Sequence, residues 1–209
     1  MTRSTVSEWA LPWREDDAEP TPETNALTIA WLLDEPARIG ETARIPGPRL
    51  LGRRDAGDHG SAGDLLEFSR ERPSGTSGGR PLVNARISRQ QLELVPAADG
   101  RLTVANVGKC PLFVNGRRVT TAVVSAGDTL SLQNSVVLLV VRRSDMASRG
   151  SYPARLAFPF GDADPHWMVG ESPVAWALRD ALAFAASSAH HVLLHGPSGG
   201  FWTRSSSAT

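Results

Sequence analysis

Between Leu27 and Arg143 the chain breaks into short apolar or alternating segments, and no long helical period runs through them. In order they read "ALTIAWLL", "GETARI", "PRLLGR", "DLLEFS", "SRQQLELV", "RLTVANV", "PLFVNG", "RRVTTAVV", "TLSLQN" and "VVLLVVRR". Turn residues separate many of them: Ala98-Asp99-Gly100, Asn115-Gly116, Gly127-Asp128 and Gln133-Asn134. A chain cut this finely cannot build a helical core. It has to pair its segments side by side, which predicts a mainly β protein, an antiparallel sandwich or barrel. The stretch "ERPSGTSGGRP" has the composition of a flexible loop.

The flanks are different. Residues 1–25 include "REDDAEPTPETN", acidic and interrupted by proline, and are expected to be a disordered tail. Trp9 and Trp13 are its apolar exceptions. Residues 26–143 form the β domain, and residues 144–168 have the look of a partly packed linker. Ser172-Pro173 then pairs an N-cap with a first-turn proline. Val174, Leu178, Ala181, Leu182 and Ala185 follow at helical spacing, predicting a helix over 173–187. A strand "HVLLH" and the glycine turn Gly196-Pro-Ser-Gly-Gly200 come next. Residues 169–209 are thus one α-β unit.

Charge and cysteine content narrow the function classes. Lys plus Arg and Asp plus Glu are 22 each, so the chain has no general field for nucleic acid or an anionic membrane. A single cysteine, Cys110, excludes an internal disulfide and any multi-cysteine zinc site. His191 and His195 are about 13 Å apart on an extended strand and cannot share one metal ion. No targeting signal is visible, and the run Val136–Val141 is far shorter than the roughly 20 residues of a spanning helix. The expectation is a soluble, cytoplasmic, non-catalytic protein without cofactor, direct nucleic-acid contact or membrane contact.

The β region resembles a forkhead-associated (FHA) domain. "LLGRR" is similar to the family's Gly-Arg at a strand end, and "ISRQQLEL" to its Ser-Arg-x-His strand. "NVGKCPLFVNGRRV" is similar to the segment that usually reads Ser-x-Asn-Gly-Thr-x-Val-Asn-Gly, and "AGDTLSL" to its Gly-Asp-x-Ile-x-Leu turn and strand. The resemblance implies a β-sandwich whose loops at one end bind phosphothreonine peptides. Arg53 then matches the phosphate-binding arginine and Ser88 the phosphate-donating serine, with Arg89 beside it. Lys109 and Cys110 stand where the family has Thr and the peptide-contacting Asn. Gln91 replaces the histidine that braces the loop. A phosphate site needs a cation and convergent donors, which this set supplies.

The segment "MVGESPVAWALRDALAFAASSAHHVLLHGPSGG" resembles the opening of the AAA+ domain of sigma-54-dependent transcription activators. Aligned to a phosphate loop, Gly196, Ser198, Gly199 and Gly200 are followed by Phe201, where the second glycine belongs, and Trp202, where the lysine belongs. Neither supports nucleotide chemistry. The last residues read as a frameshift or truncation would leave them. Together the two resemblances imply an interaction module that reads a phosphothreonine-bearing protein in signalling or transcription control, with the transcription machinery as a further partner. Two alternatives stay open: a fragment of an ATP-dependent sigma-54 activator, and an FHA scaffold that binds its partner without phosphate.

Overall fold

The computed structural model describes residues 23–54, 65–144 and 158–187. In it the short segments become twelve strands: β1 (Thr24–Leu32), β2 (Thr42–Ile45), β3 (Arg49–Leu51), β4 (Phe68–Arg72), β5 (Gly75–Arg80), β6 (Leu92–Pro96), β7 (Leu102–Asn106), β8 (Leu112–Val114), β9 (Arg117–Val119), β10 (Thr121–Val124), β11 (Thr129–Leu132) and β12 (Val136–Arg143). They form two antiparallel sheets, ordered β5-β4-β2-β1-β12-β11-β8-β9 and β10-β7-β6-β3. The fold is mainly β.

Period-two alternation decides which residues go inside. Leu92 and Leu94 of β6, Leu102 and Val104 of β7, Leu130 and Leu132 of β11, and Val136, Leu138 and Val140 of β12 are all buried. They meet Leu27, Ile29, Ile45, Leu51 and Phe68 in one core. Each such side chain contributes about 1.5–3 kcal/mol relative to exposure. β1 pairs with β12 from Thr24↔Arg143 to Leu32↔Val136, so the first and last strands lie side by side at the centre of the larger sheet. The expected hairpin at Asn115-Gly116 is present, with φ of 49° and 79°. Asn115 also caps the next turn, its Oδ1 accepting from Thr129 N at 2.9 Å.

One expected loop is a strand. "GTSGGR" forms β5, paired with β4 through Arg72↔Gly75, Glu71↔Thr76 and Arg70↔Ser77. Every residue of β5 is exposed, so no alternation marks it in the sequence. Its far end is held instead by Arg38, which is fully buried. The Arg38 guanidinium donates to Arg80 O (2.9 Å) and Pro81 O (3.0 Å) and pairs with Glu41 (2.7 Å) and Glu35 (3.2 Å).

Residues 158–187 build a cap over Arg70 and Arg72 of β4, with helix α1 (Pro173–Ser187) where the sequence predicts a helix. From Phe158 onward, therefore, the expected linker is part of a packed element. Arg72 anchors it. Its guanidinium holds Glu171 by two oxygens and donates to Phe158 O at 3.0 Å. It also lies 4.3 Å from the Phe158 ring centroid and 5.6 Å from that of Trp176. Inside the cap, Arg179 and Asp164 form a 2.7 Å ion pair with both side chains fully buried. Arg179 further donates to Met168 O (2.8 Å) and Gly170 O (2.6 Å). Asp164 is balanced between two effects. Burial raises its carboxyl, but the Arg179 guanidinium and the Met168 and His166 amides outweigh this and hold it below the ordinary value. Among the described residues no helix is long and apolar enough to cross a membrane.

Candidate functional site

The loops at one end of the sandwich are organised around a single neutral side chain, Gln91, which is completely buried. Its Oε1 accepts from Ser88 N (3.0 Å) and Cys110 N (3.3 Å). Its Nε2 donates to Asn106 Oδ1 (2.6 Å) and Cys110 O (2.9 Å). Its backbone N–H reaches Leu51 O, and its carbonyl accepts from Val107 N and Gly108 N. One residue thus ties together the end of β3, the start of β6 and the end of β7. A buried amide with this many partners is rigid, because each broken bond would strand a desolvated group.

Two glycines permit this packing. A Cβ on Gly52 would run into the Arg89 and Ser88 carbonyls, and one on Gly108 into the Gln91 amide. Only glycine lets these backbones approach so closely.

The result brings the segments of Arg53, Ser88 and Lys109 into contact. Arg53 N donates to Ser88 O at 3.1 Å, and Arg53 bridges to Leu82. Lys109 N donates to Ser88 Oγ at 3.0 Å. The hydroxyl oxygen of Ser88 is therefore an acceptor toward Lys109, which leaves its hydrogen to donate to a ligand. Arg89 follows directly, exposed at the same loop. Arg53, Ser88 and Lys109 thus come from three segments whose backbones meet at Ser88, with Arg89 next to it in the chain. Lys109 has no carboxylate partner among the described residues. Three cations and a hydroxyl donor suit an acceptor-rich anion.

Cys110 does not join them. The sequence reading put it on the peptide-facing surface, but it is only 7% exposed and its thiol donates inward to Gln133 O at 3.7 Å. Burial pushes the thiol pKa up, so it is also a poor nucleophile. A small apolar side chain at this position fits the core better than an asparagine would. Gln91, read as a departure from the family histidine, supplies the brace itself, donating and accepting at once as a neutral histidine does. Residues that the sequence reading missed are Asn84, which donates to Asp34 Oδ2 at 2.5 Å and accepts from Arg86 N at 2.8 Å, and the buried Arg38. Asn84 precedes a loop of small and polar residues, a placement typical of a side chain that bonds its own turn. Gly196, Ser198, Gly199 and Gly200 lie outside the described residues.

Solved structures similar to this chain are FHA domains. One is the FHA domain of the CT664 protein from Chlamydia trachomatis, at 17% identity, covering 58% of this chain and 99% of that one with a TM-score of 0.40. Another is the FHA domain of an Arabidopsis thaliana protein, at 15% identity, covering 61% and 93% with a TM-score of 0.40. A third is the yeast Dun1 FHA domain in complex with a doubly phosphorylated peptide, at 15% identity, covering 61% and 80% with a TM-score of 0.39. No family model matches the chain, and no curated protein matches it.

Proposed function

We propose that this chain is a non-catalytic interaction module that recognises a phosphothreonine-containing protein segment through Arg53, Ser88, Arg89 and Lys109. The observation that carries the reading is the convergence on Ser88. Its carbonyl holds Arg53 N, its hydroxyl holds Lys109 N, and its own N–H is fixed by Gln91. A phosphate brings close to two negative charges and three strong acceptors. The Ser88 hydroxyl supplies one directed donor, and the arginines and lysine supply the charge. Among the described residues of these loops, Arg53, Ser88, Arg89 and Lys109 form no nucleophile–base pair of the kind that covalent chemistry needs.

The test is fluorescence anisotropy with phosphothreonine peptides and their unphosphorylated twins. A charge-assisted contact contributes about 1.5–3 kcal/mol, so Arg53→Ala is expected to weaken phosphopeptide binding roughly 10- to 100-fold. The unphosphorylated peptide should be indifferent to the substitution. If no phosphopeptide in a diverse library outbinds its twin, the reading is wrong, and the scaffold alternative takes its place. The sigma-54 setting rests on the C-terminal sequence resemblance alone.

A further inference from the structure

Arg38 is unusual in this fold: a fully buried arginine in the loop between β1 and β2, away from the proposed site. Burying a guanidinium is costly unless all its donors are satisfied. Here they are satisfied by groups that lead in two directions. Toward the site, Arg38 holds Arg80 O and Pro81 O, and the next residue, Leu82, accepts from Arg54 N at 2.9 Å and bridges to Arg53. Toward the cap, Arg38 shares Glu41 with Arg70, whose Nε lies 3.4 Å from the Glu41 carboxylate. Arg70 lies 5.2 Å from the ring centroid of Phe160, a cap residue, and Phe160 also packs against Gly40 beside Glu41.

We propose that Arg38 is a positioning residue for the phosphate site, and that through it cap docking and phosphopeptide binding favour one another. This rests on the proposed function. The two-state element is the cap, docked or released. Its main polar attachment to the sandwich is Arg72 on Glu171 and the Phe158 carbonyl, with aromatic rings around it, beside the Phe160 contact with Arg70 and Gly40. When docked, Phe160 restrains Arg70, Arg70 and Arg38 share the Glu41 carboxylate, and Arg38 fixes Pro81-Leu82 under the Arg53 backbone. When the cap is released, Arg70 and Glu41 regain freedom, and the Arg53 loop has to be ordered by the ligand at the ligand's expense. Linkage makes the effect reciprocal: whatever factor docking adds to affinity, ligand adds to docking.

The experiment uses the full chain and Arg72→Ala, which releases the cap without touching the site. Cap docking is read by hydrogen exchange over 158–187, and binding by anisotropy of a phosphothreonine peptide. The expected result is about fivefold weaker binding in Arg72→Ala, at the low end of measured couplings. Saturating peptide should protect the wild-type cap by the same factor. Glu41→Gln removes the shared carboxylate, so adding Arg72→Ala to it should cost no further affinity. The inference is overturned if Arg72→Ala releases the cap with affinity unchanged, or if the two substitutions act additively. If no phosphopeptide outbinds its unphosphorylated twin even in the wild type, the proposed function has failed and this inference fails with it.

Discussion

The two ends of this molecule that depend on buried polar groups are built in opposite ways. The loop end is braced by an uncharged amide, Gln91, with four side-chain hydrogen bonds to neighbouring loops. The cap is braced by charge, Arg72 on Glu171 and Arg179 on Asp164, each arginine facing aromatic rings. The difference concerns what each end leaves over. In the cap every anchoring cation is spent on a carboxylate of the same chain. At the loop end the brace uses no charge, and Lys109 has no carboxylate partner among the described residues. A neutral brace adds no charge of its own beneath the loops, whereas the ion pairs of the cap neutralise one another within the chain.

The largest expected effect breaks the charged brace. Arg179→Ala strands Asp164 in a buried position, and removing one partner of a buried pair costs about 3–5 kcal/mol. The cap should lose its protection from protease, while the sandwich, whose core is separate, should unfold at an almost unchanged temperature. If the whole molecule melts together, the two regions are one cooperative unit and the contrast drawn here is false.

Breaking the neutral brace is the next largest. Gln91→Ala leaves the N–H groups of Ser88 and Cys110 without their acceptor. The loss is about 3 kcal/mol in chemical denaturation, at one to three for each stranded group with some rescue by water. Phosphopeptide affinity should fall with it, because Ser88 is no longer fixed. Gln91→Glu sharpens the point. It keeps both acceptor contacts but loses the donors and puts a negative charge beneath the site. Set against Asn106 Oδ1 and the Cys110 carbonyl, that buried charge should lower stability as well as binding.

The smallest effect separates the two braces by titration. The Asp164 carboxyl is held below its ordinary value of 3.8, so the pair stabilises the cap fully above that value. That contribution is lost as the pH falls through the depressed value of the folded state. Gln91 does not titrate at all. The cap's protection factors, corrected for the intrinsic pH dependence of exchange, should therefore fall on acidification, with Asp164→Asn removing that dependence. A cap equally acid-sensitive in the variant would assign the effect to other carboxylates.

How far the sequence discloses these features follows from the range of the forces involved. The paired strands with one buried face were legible because alternation is local: Leu92-Glu93-Leu94 and Leu130-Ser131-Leu132 state their own inside and outside. The helix at 173–187 was legible from Ser172-Pro173 and its spacing. β5 was not, because an exposed edge strand of glycine and serine carries no apolar pattern and is held by Arg38, some forty residues away in sequence. The docked cap was hidden for the same reason, since Arg72 and Glu171 are separated by 99 residues. At the site, Arg53 and Ser88 were readable as matches to a family motif and Lys109 as a departure from it. The inward turn of Cys110 and the fourfold bonding of Gln91 depend on how three loops meet, which no local stretch encodes.

The seat of Gln91 beneath Gly108 makes the two positions interdependent. A Cβ at 108 would run into the Gln91 amide, so any larger residue there forces the brace to move. A smaller residue at 91 would relieve that clash while giving up the bonds to Ser88, Asn106 and Cys110. Substitutions at the two positions are therefore expected to be non-additive, the second changing the cost of the first.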